Sequence, residues 1–372
     1  MNQGDGAAEA SAAAQADMLA NRLRKRFRHL SKWARRTGTE VFRLYDRDIP
    51  EIPLVLDWYG GALAGALYKR PYEKDEAEEG RWIKAMTEAA AEALDIDPRR
   101  VFIKFRERQR GAAQYRRLGD RGVIREVIEG GLRFRVNLSD YLDTGLFPDR
   151  RRLRSLIREE AAGKRVLNLF CYTAAFSVYA AAGGAAAVDS VDLSNTYLNW
   201  GLENFRLNGL AGEMVSGDAF FSRTRPADPG KRRSGGPGQP PTADNRRRND
   251  PPSSFRFIRA DVPVFLDRAF RAGLRWDLII LDPPAFSNSK KMRGNLDIRR
   301  DHPGLIAQCL GLLFSGGRLW FSTGTRHFRL NQEKAAELAV RFPGLRQEDR
   351  KDGSTDEDFR GKKIPPCYLF KV

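Results

Sequence analysis

The chain has 372 residues, of which 41% are hydrophobic, and this length is sufficient for two or three domains with sizeable cores. Its formal charge of +17, from 65 lysines and arginines against 48 acidic residues, favours a polyanionic partner such as nucleic acid, although a solubilising surface has the same composition. No apolar stretch is long enough to cross a bilayer, and three widely spaced cysteines with only three histidines predict a cytoplasmic protein without disulfides or a metal site.

The N-terminal segment changes character near residue 17. Residues 1–16 are rich in alanine and have no charged segment before an apolar run, which predicts a disordered leader instead of a signal peptide. Residues 18–36 predict an amphipathic helix, because Leu19, Leu23 and Leu30 recur at helical spacing among arginines and lysines. Its basic face is consistent with an RNA contact and equally with a solvated surface.

A small α/β domain is predicted over residues 17–150. Strand-like runs within 41–68 precede a helical stretch at 73–95, and residues 101–111 alternate apolar and basic side chains. Residues 123–138 predict a β-hairpin around a glycine pair. The basic residues that we predict to contact RNA in this domain are Lys25, Arg26, Arg35, Arg36, Lys104, Arg106 and Arg108.

The second predicted domain, residues 151–372, alternates strands with helices. Continuous apolar strands such as WDLIILDPP predict a mostly parallel, doubly wound Rossmann-like sheet with helices on both faces. Residues 223–254 are rich in proline, glycine, arginine and aspartate and have no apolar periodicity, which predicts a disordered insertion. This insertion is consistent with a tolerated surface loop or with a basic arm that touches RNA.

Ligands of such sheets bind beyond the carboxyl ends of the strands. The first strand of this domain leads into a turn of small residues, CYTAA. Asp192 ends the second strand, where an acidic residue typically binds the ribose hydroxyls of a nucleotide or caps the next helix. Asp261 follows the third strand and is equally consistent with a contact to an adenine amino group and with a helix cap. The candidate cofactor-binding residues here are Asn168, Phe170, Tyr172, Thr173, Asp192, Leu193, Asp261 and Val262.

The end of the fourth strand carries the most specific motif, Asp282-Pro283-Pro284. The prolines fix the backbone and expose carbonyl groups, so that the turn can hold a flat base against a cofactor. Phe286 can stack on that base. This combination predicts that Asp282, Pro283, Pro284 and Phe286 form the catalytic site. The adjacent candidates for RNA contact are Lys290 and Lys291.

The motifs NRLRK, RERQ, DYLDTGLF, LNLFCYT and DPPAFSNSK together resemble those of the RlmK-type 23S ribosomal RNA methyltransferases. The resemblance covers residues 17 to 372 apart from the insertion. It implies a class I methyltransferase fold, S-adenosylmethionine (SAM) as cofactor, and 7-methylguanine as product. It also implies that Thr144, Asp149 and Arg150 close over the cofactor. Members of this family often have glycine where this chain has Ala174.

The family's second catalytic half, a guanine N2-methyltransferase, has no counterpart in this sequence. A separate partner is therefore one way of supplying it. The resemblance implies that the substrate is 23S ribosomal RNA or an assembling large ribosomal subunit.

The residues themselves distinguish some acceptor atoms. Guanine N7 has no proton, so its methylation needs positioning and electrostatics but no general base. Methylation at a pyrimidine C5 needs a cysteine nucleophile, and none of Cys171, Cys309 and Cys367 follows the fourth or fifth strand. Methylation of an exocyclic amine, held by Asp282 and the Pro283 carbonyl, is the alternative reaction.

Two other classes of function have to be weighed. A non-catalytic RNA-binding module with this fold would fail to bind SAM. A methyltransferase that acts on a protein or a small molecule would show activity that does not fall steeply with salt. The sequence predicts a SAM-dependent methyltransferase that acts on ribosomal RNA.

Overall fold

The computed structural model describes residues 3–68, 75–106, 119, 121–223, 254–287, 294–325, 328–350, 355–362 and 364–372. The chain divides into two compact units. The first contains Met1–Arg152 and Ser354–Ile364, and the second contains Leu153–Gly353 and Pro365–Val372. The sequence prediction of one boundary after residue 150 did not anticipate that a segment near the C-terminus belongs to the first unit.

The first unit contains a mixed four-stranded sheet, β1-β2-β3-β4, in which only the β3–β4 pair is parallel. A separate antiparallel hairpin, β5–β6, confirms the predicted hairpin. The helices and strands of this unit are α1 (Gln3–Thr37), β1 (Val41–Asp46), β2 (Leu54–Tyr59), β3 (Leu63–Tyr68), α2 (Glu76–Leu94), β4 (Val101–Arg106), β5 (Ile124–Glu129) and β6 (Leu132–Asn137).

Helix α1 extends well beyond the predicted amphipathic segment. It begins at Gln3, so the prediction of a disordered leader is wrong for the described part of that leader. Alanine has the highest helix propensity, and Ala12 and Ala16 also pack against the core of the first unit. The Trp82 indole of α2 donates a hydrogen bond to Gln15 Oε1 at 2.6 Å, which holds this early part of α1 in place.

A buried ion cluster holds the segment around Asp358 in the first unit. The Arg151 guanidinium donates to both carboxylate oxygens of Asp358, each at 3.0 Å, and to Asp356 Oδ2 at 2.9 Å. Its Nε lies 3.4 Å from a carboxylate oxygen of Glu129. Arg151 is itself buried against the ring of Trp33, whose centroid lies 4.9 Å from the guanidinium carbon. Paired, hydrogen-bonded charges of this kind are tolerated in a protein interior.

The second unit contains an eight-stranded sheet of order β15-β16-β14-β11-β7-β8-β10-β9. All neighbouring strands are parallel except the two pairs that include β16. The strands of the second unit are β7 (Arg165–Leu169), β8 (Ala187–Asp192), β9 (Glu213–Ser216), β10 (Ser254–Arg259), β11 (Trp276–Leu281), β12 (Phe286–Ser287), β13 (Leu296–Asp297), β14 (Leu313–Ser322), β15 (Arg346–Asp349) and β16 (Cys367–Lys371). The helices are α3 (Arg151–Glu160), which crosses the unit boundary, α4 (Ala175–Ala182), α5 (Asn195–Leu207), α6 (Gly217–Arg223), α7 (Val262–Arg271), α8 (Ile298–Leu310) and α9 (Gln332–Arg341).

The strand order confirms the predicted doubly wound sheet. The chain passes from β7 to β8 and β10 on one side of β7, and then to β11 and β14 on the other side. The order therefore reverses between β7 and β11, which is where ligands bind in sheets of this type. Four of the six residues of β11 are aliphatic and fully buried, as expected for a strand covered on both faces.

Several predictions concern residues that the structure leaves undescribed. Between Arg223, which ends α6, and Ser254, which starts β10, the predicted insertion lies outside the described residues. The same is true of the predicted RNA contacts at Arg108, Lys290 and Lys291. Where helices are described, none combines the length and the apolar character that a membrane crossing requires.

Candidate cofactor and base site

The turn that follows β7 has an unusual backbone. Phe170, Tyr172 and Ala174 have φ angles of 55°, 52° and 58°, a left-handed conformation that residues with a Cβ atom rarely adopt. Within the turn, the Cys171 N–H donates to the Val191 carbonyl at 3.1 Å, and the Ala174 N–H donates to the Cys171 carbonyl at 2.7 Å. Strained backbone of this kind concentrates at functional sites. That this turn binds a ligand stays a prediction.

Asp192, at the end of β8, braces this turn. Its Oδ2 accepts a hydrogen bond from the Tyr172 N–H at 3.0 Å, and its Oδ1 accepts one from the Ser194 N–H at 2.9 Å. Burial raises the pKa of Asp192 to about 6, although bonds from the Ser194, Tyr172 and Leu193 N–H groups act in the opposite direction. The cap of α5 is Ser194, whose Oγ accepts from the Tyr197 N–H at 3.4 Å. Asp192 is therefore the brace of the turn, and Ser194 is the helix cap.

Two of the predicted cofactor ligands are deeply buried. Asn168 and Thr173 are each 1% exposed. The Asn168 side-chain amide donates to Ser177 Oγ at 2.8 Å, and Ser190 Oγ also donates to Ser177 Oγ at 2.8 Å. The Thr173 carbonyl accepts from the Asn204 side-chain amide at 2.9 Å. The Asn168 side chain and the Thr173 backbone therefore support the turn from inside the protein, and their contact with a cofactor stays a prediction.

Asp261 lies one strand away from Asp192, because the Ala260 N–H donates to the Asp192 carbonyl at 3.1 Å. It occupies the position before α7, but its side chain accepts no capping hydrogen bond from that helix, so the capping alternative is wrong. The side chain of Val262 is 3% exposed and packs in the core of the second unit. Asp261 also lines an open groove of about 740 Å³ that is bounded by α8 and α9.

The Asp282-Pro283-Pro284 turn follows β11, next to β7 in the sheet. Asp282 Oδ1 accepts a hydrogen bond from Ser322 Oγ at 2.7 Å, and Ser322 is the buried last residue of β14. The sequence analysis missed Ser322 as a partner of Asp282. The signal available was topological, because parallel neighbouring strands end at the same edge of a sheet.

Phe286 follows this turn and is half-exposed in the short strand β12. It pairs with Asp297 of β13, and the Ile298 N–H donates to the Ala285 carbonyl at 3.2 Å. Pro283 is buried and Pro284 is half-buried. Backbone pairing and two prolines therefore fix the loop that carries the aromatic ring.

Thr144, Asp149 and Arg150 belong to the first unit. The Thr144 hydroxyl lies 2.8 Å from the Tyr59 hydroxyl, and Arg150 is buried with its Nη1 3.4 Å from Asp149 Oδ2. Their closure over a cofactor stays a prediction.

Two predicted RNA contacts on β4 have partners inside the first unit. Lys104 Nζ donates to the Tyr141 carbonyl, and burial lowers the pKa of Lys104 to about 8. Arg106 Nη1 lies 3.3 Å from Asp143 Oδ1. These two cations hold the segment that contains Tyr141 and Asp143 against β4, and their contact with RNA stays a prediction.

The predicted RNA contacts of α1 divide into two groups. Arg26 is half-buried, and its Nη2 donates to the Asp358 carbonyl at 3.1 Å, so its predicted RNA contact also stays a prediction. Lys25, Arg35 and Arg36 are exposed.

The left-handed residue Ala174 provides a test of the turn geometry. An alanine in this conformation costs about 1–2 kcal/mol, whereas glycine adopts it freely but adds entropy to the unfolded chain. We expect Ala174→Gly to raise the free energy of unfolding of the second unit by about 0.5–1 kcal/mol, measured by hydrogen exchange of the β7 and β11 amides. The matched change Ala180→Gly, in the interior of α4, should lower it by about 1 kcal/mol. A loss of stability in Ala174→Gly would contradict the left-handed assignment.

Comparison with known proteins identifies the group to which this architecture belongs. The family model described as S-adenosylmethionine-dependent methyltransferase matches residues 40–240. A protein of Neisseria meningitidis named ribosomal RNA large subunit methyltransferase K is 42% identical over 95% of this chain and 86% of its own length. A protein of Hahella chejuensis named ribosomal RNA large subunit methyltransferase K/L is 40% identical over 96% of this chain. The chain spans only 43% of the length of that K/L protein.

Solved structures support the same fold. A structure described as a SAM-dependent methyltransferase from Streptococcus mutans has a TM-score of 0.64 at 22% identity, covering 96% of this chain and 81% of that chain. Another, described as a methyltransferase complexed with SAH, has a TM-score of 0.63 at 22% identity over 96% of this chain and 82% of that chain. At these identities the likeness concerns the fold, and the family rests on the match of residues 40–240 and on the Neisseria relative. The chain belongs to the S-adenosylmethionine-dependent methyltransferase family, in the group that includes ribosomal RNA large subunit methyltransferase K.

Proposed function

We propose that the protein methylates a guanine of large-subunit ribosomal RNA at N7, using SAM, in the cytoplasm. The observation that carries this proposal is the arrangement at the switch point of the sheet. A left-handed turn braced by Asp192 lies beyond β7, and the Asp282 turn braced by Ser322 lies beyond β11, the adjacent strand. The formal charge of +17 and the names of the relatives support an RNA substrate.

The described residues fit the cofactor of the family. SAM supplies a methyl group that is activated by attachment to a sulfonium. The Asp192 carboxylate accepts bonds from three backbone N–H groups, those of Tyr172, Leu193 and Ser194, and a carboxylate has about four acceptor positions, so capacity for a ribose hydroxyl remains. Asp261, one strand away, is placed to accept from an adenine amino group. The left-handed turn after β7 presents its backbone between these carboxylates and the Asp282 turn.

The second half of the site fits a flat base. Pro283 and Pro284 fix the direction of the turn, and the half-exposed ring of Phe286 offers a stacking surface. A base methylated at N7 becomes positively charged, and the Asp282 carboxylate and the Phe286 ring both stabilise a cation. Because guanine N7 has no proton, none of these residues has to act as a general base. The Ser322 hydroxyl orients Asp282.

The direct test is methyl transfer from labelled SAM to purified 23S ribosomal RNA from a strain that lacks the gene, with the nucleosides identified by mass spectrometry. 7-Methylguanosine is the expected product. Label in a base methylated at its amino group would favour the alternative in which Asp282 and the Pro283 carbonyl hold an exocyclic amine. Confirmed SAM binding without transfer to this RNA would contradict free ribosomal RNA as the substrate.

The raised pKa of Asp192 predicts how cofactor affinity depends on pH. Ribose hydroxyls donate to the charged carboxylate, which is the dominant form above its pKa of about 6. We therefore expect the dissociation constant for SAM, measured by calorimetry, to be constant above pH 7 and to rise up to about tenfold per pH unit below 6. Asp192→Asn should bind weakly without this dependence. Equal affinity of the wild type at pH 5 and pH 8 would contradict the ribose role.

A further inference from the structure

The outer face of α1 carries a row of five exposed cations, which we call the α1 stripe and which consists of Lys25, Arg28, Lys32, Arg35 and Arg36. Residues three or four positions apart lie on the same face of a helix, and the series from Lys25 through Arg28 and Lys32 to Arg36 follows this spacing. At 1.5 Å per residue, the stripe is about 16 Å long. Its charges are therefore held in a fixed line by a rigid helix.

The cations of the α1 stripe differ from the other arginines of the same helix in their partners. Arg22 is paired with Asp48 at 2.7 Å, and Arg24 is paired with Glu92 at 3.0 Å. Within the described part of the chain, no acidic side chain forms an ion pair with any member of the stripe. The first unit thus neutralises the cations that lie beside its core and leaves the outer row available to a polyanion.

The opposite face of α1 decides which polyanion fits. Leu19, Leu23, Leu30 and Ala34 are buried in the core of the first unit. An amphipathic helix binds a membrane surface by inserting its apolar face, and that face of α1 is already occupied. A nucleic acid can still bind the rigid row of charges, because its phosphates need no apolar contact.

The aromatic residues of α1 indicate the kind of contact. Phe27 packs against Trp58 with ring centroids 4.8 Å apart, and Trp33 packs against Phe42 and Arg151. The stripe therefore has no aromatic side chain on which an unpaired base can stack. Lysine and arginine without such rings are typical of contacts to the backbone, which position a nucleic acid without reading its sequence.

We propose that the α1 stripe binds the phosphodiester backbone of folded RNA and positions the substrate independently of its sequence. This inference rests on the proposed function, which makes RNA the substrate. It extends that function from the site at the switch point to a separate surface of the first unit.

The test compares two triple variants of the full chain. The stripe variant is Arg28→Gln, Lys32→Gln and Arg36→Gln. The control variant, Arg206→Gln, Arg341→Gln and Arg346→Gln, removes the same number of charges from exposed positions of the second unit. Binding to 23S ribosomal RNA is measured between 50 and 200 mM salt in the presence of S-adenosylhomocysteine, with thermal midpoints and SAM affinity measured alongside.

We expect the slope of log affinity against log salt concentration to become shallower by about 2 in the stripe variant, because each phosphate contact contributes about 0.7–0.9. Its affinity at 50 mM salt should fall at least about tenfold. The control variant should resemble the wild type in slope, and both variants should bind SAM normally. An equal slope in the two variants would overturn the proposal.

The failure of the proposed function can be distinguished from the failure of this inference. If the wild type methylated no ribosomal RNA, the proposed function would fail, and the same slopes would be measured on a duplex RNA of arbitrary sequence. A shallower slope there, confined to the stripe variant, would still support the stripe. Loss of binding to phosphatidylserine vesicles, with RNA binding unchanged, would instead assign the stripe to a membrane surface.

Discussion

Replacement of Arg151 by methionine should lower the stability of the first unit by about 3–5 kcal/mol, the usual effect of removing one partner from a buried ion cluster. Methionine has a similar length but carries no charge. Asp358 and Glu129 have no exposed surface, and in the variant both would lose Arg151 as a cationic partner. Asp356 would lose its ion pair with Arg151 as well.

Hydrogen exchange is the suitable measurement, because a chain with two units need not unfold in one step. The amides of β1 and α1 should lose protection in Arg151→Met, and those of β11 should not. The matched control is Arg133→Met, which removes an exposed arginine 3.9 Å from Glu126 and should change stability by less than about 1 kcal/mol. Equal protection in the two variants would show that the Arg151 cluster contributes nothing specific.

Replacement of Asp282 by alanine should reduce the rate of methyl transfer at saturating RNA and SAM by about 100-fold or more, which is the scale of losing one preorganised electrostatic group. The expected loss lies in the rate because the proposed role of the carboxylate is to stabilise charge that develops on the base. The dissociation constant for SAM should stay within about twofold of the wild type.

Two further variants separate charge from orientation. Asp282→Asn keeps the shape of the side chain and should be nearly as slow as Asp282→Ala. Ser322→Ala keeps the charge but removes the 2.7 Å hydrogen bond, and should cost about tenfold. Single-turnover rates close to the wild type in Asp282→Ala would eliminate this residue from the mechanism.

The core of the second unit was predictable because its strands are long and apolar. β11 is apolar at nearly every position, and it is flanked by β7 and β14 as a fully covered strand should be. β9 was not predicted, because it has four residues, of which only Val215 is buried. The antiparallel strand β16 follows a segment that belongs to the other unit, and no local pattern signals that arrangement.

Site residues at the ends of strands could be predicted from the sequence. Roles that depend on contacts with residues far along the chain could not. Asp192 and Asp282 were found because Asp192 ends β8 and Asp282 directly follows β11. The internal roles of Lys104 and Arg106 depend on contacts 37 residues along the chain. The left-handed backbone at residue 174 was hidden because alanine, unlike glycine, gives no sign of a positive φ angle.

The membership of residues 354–364 in the first unit has a consequence during synthesis of the chain. Asp356 and Asp358 follow Arg151 by 205 and 207 residues, so both are absent while nearly all of the second unit is being translated. At about 5–20 residues per second, this interval lasts about 10–40 s. During that time Arg151 can bond to the Val41 carbonyl and pair with Glu129, but it lacks both aspartate partners. The first unit therefore completes its ion cluster only after nearly all of the second unit has been translated.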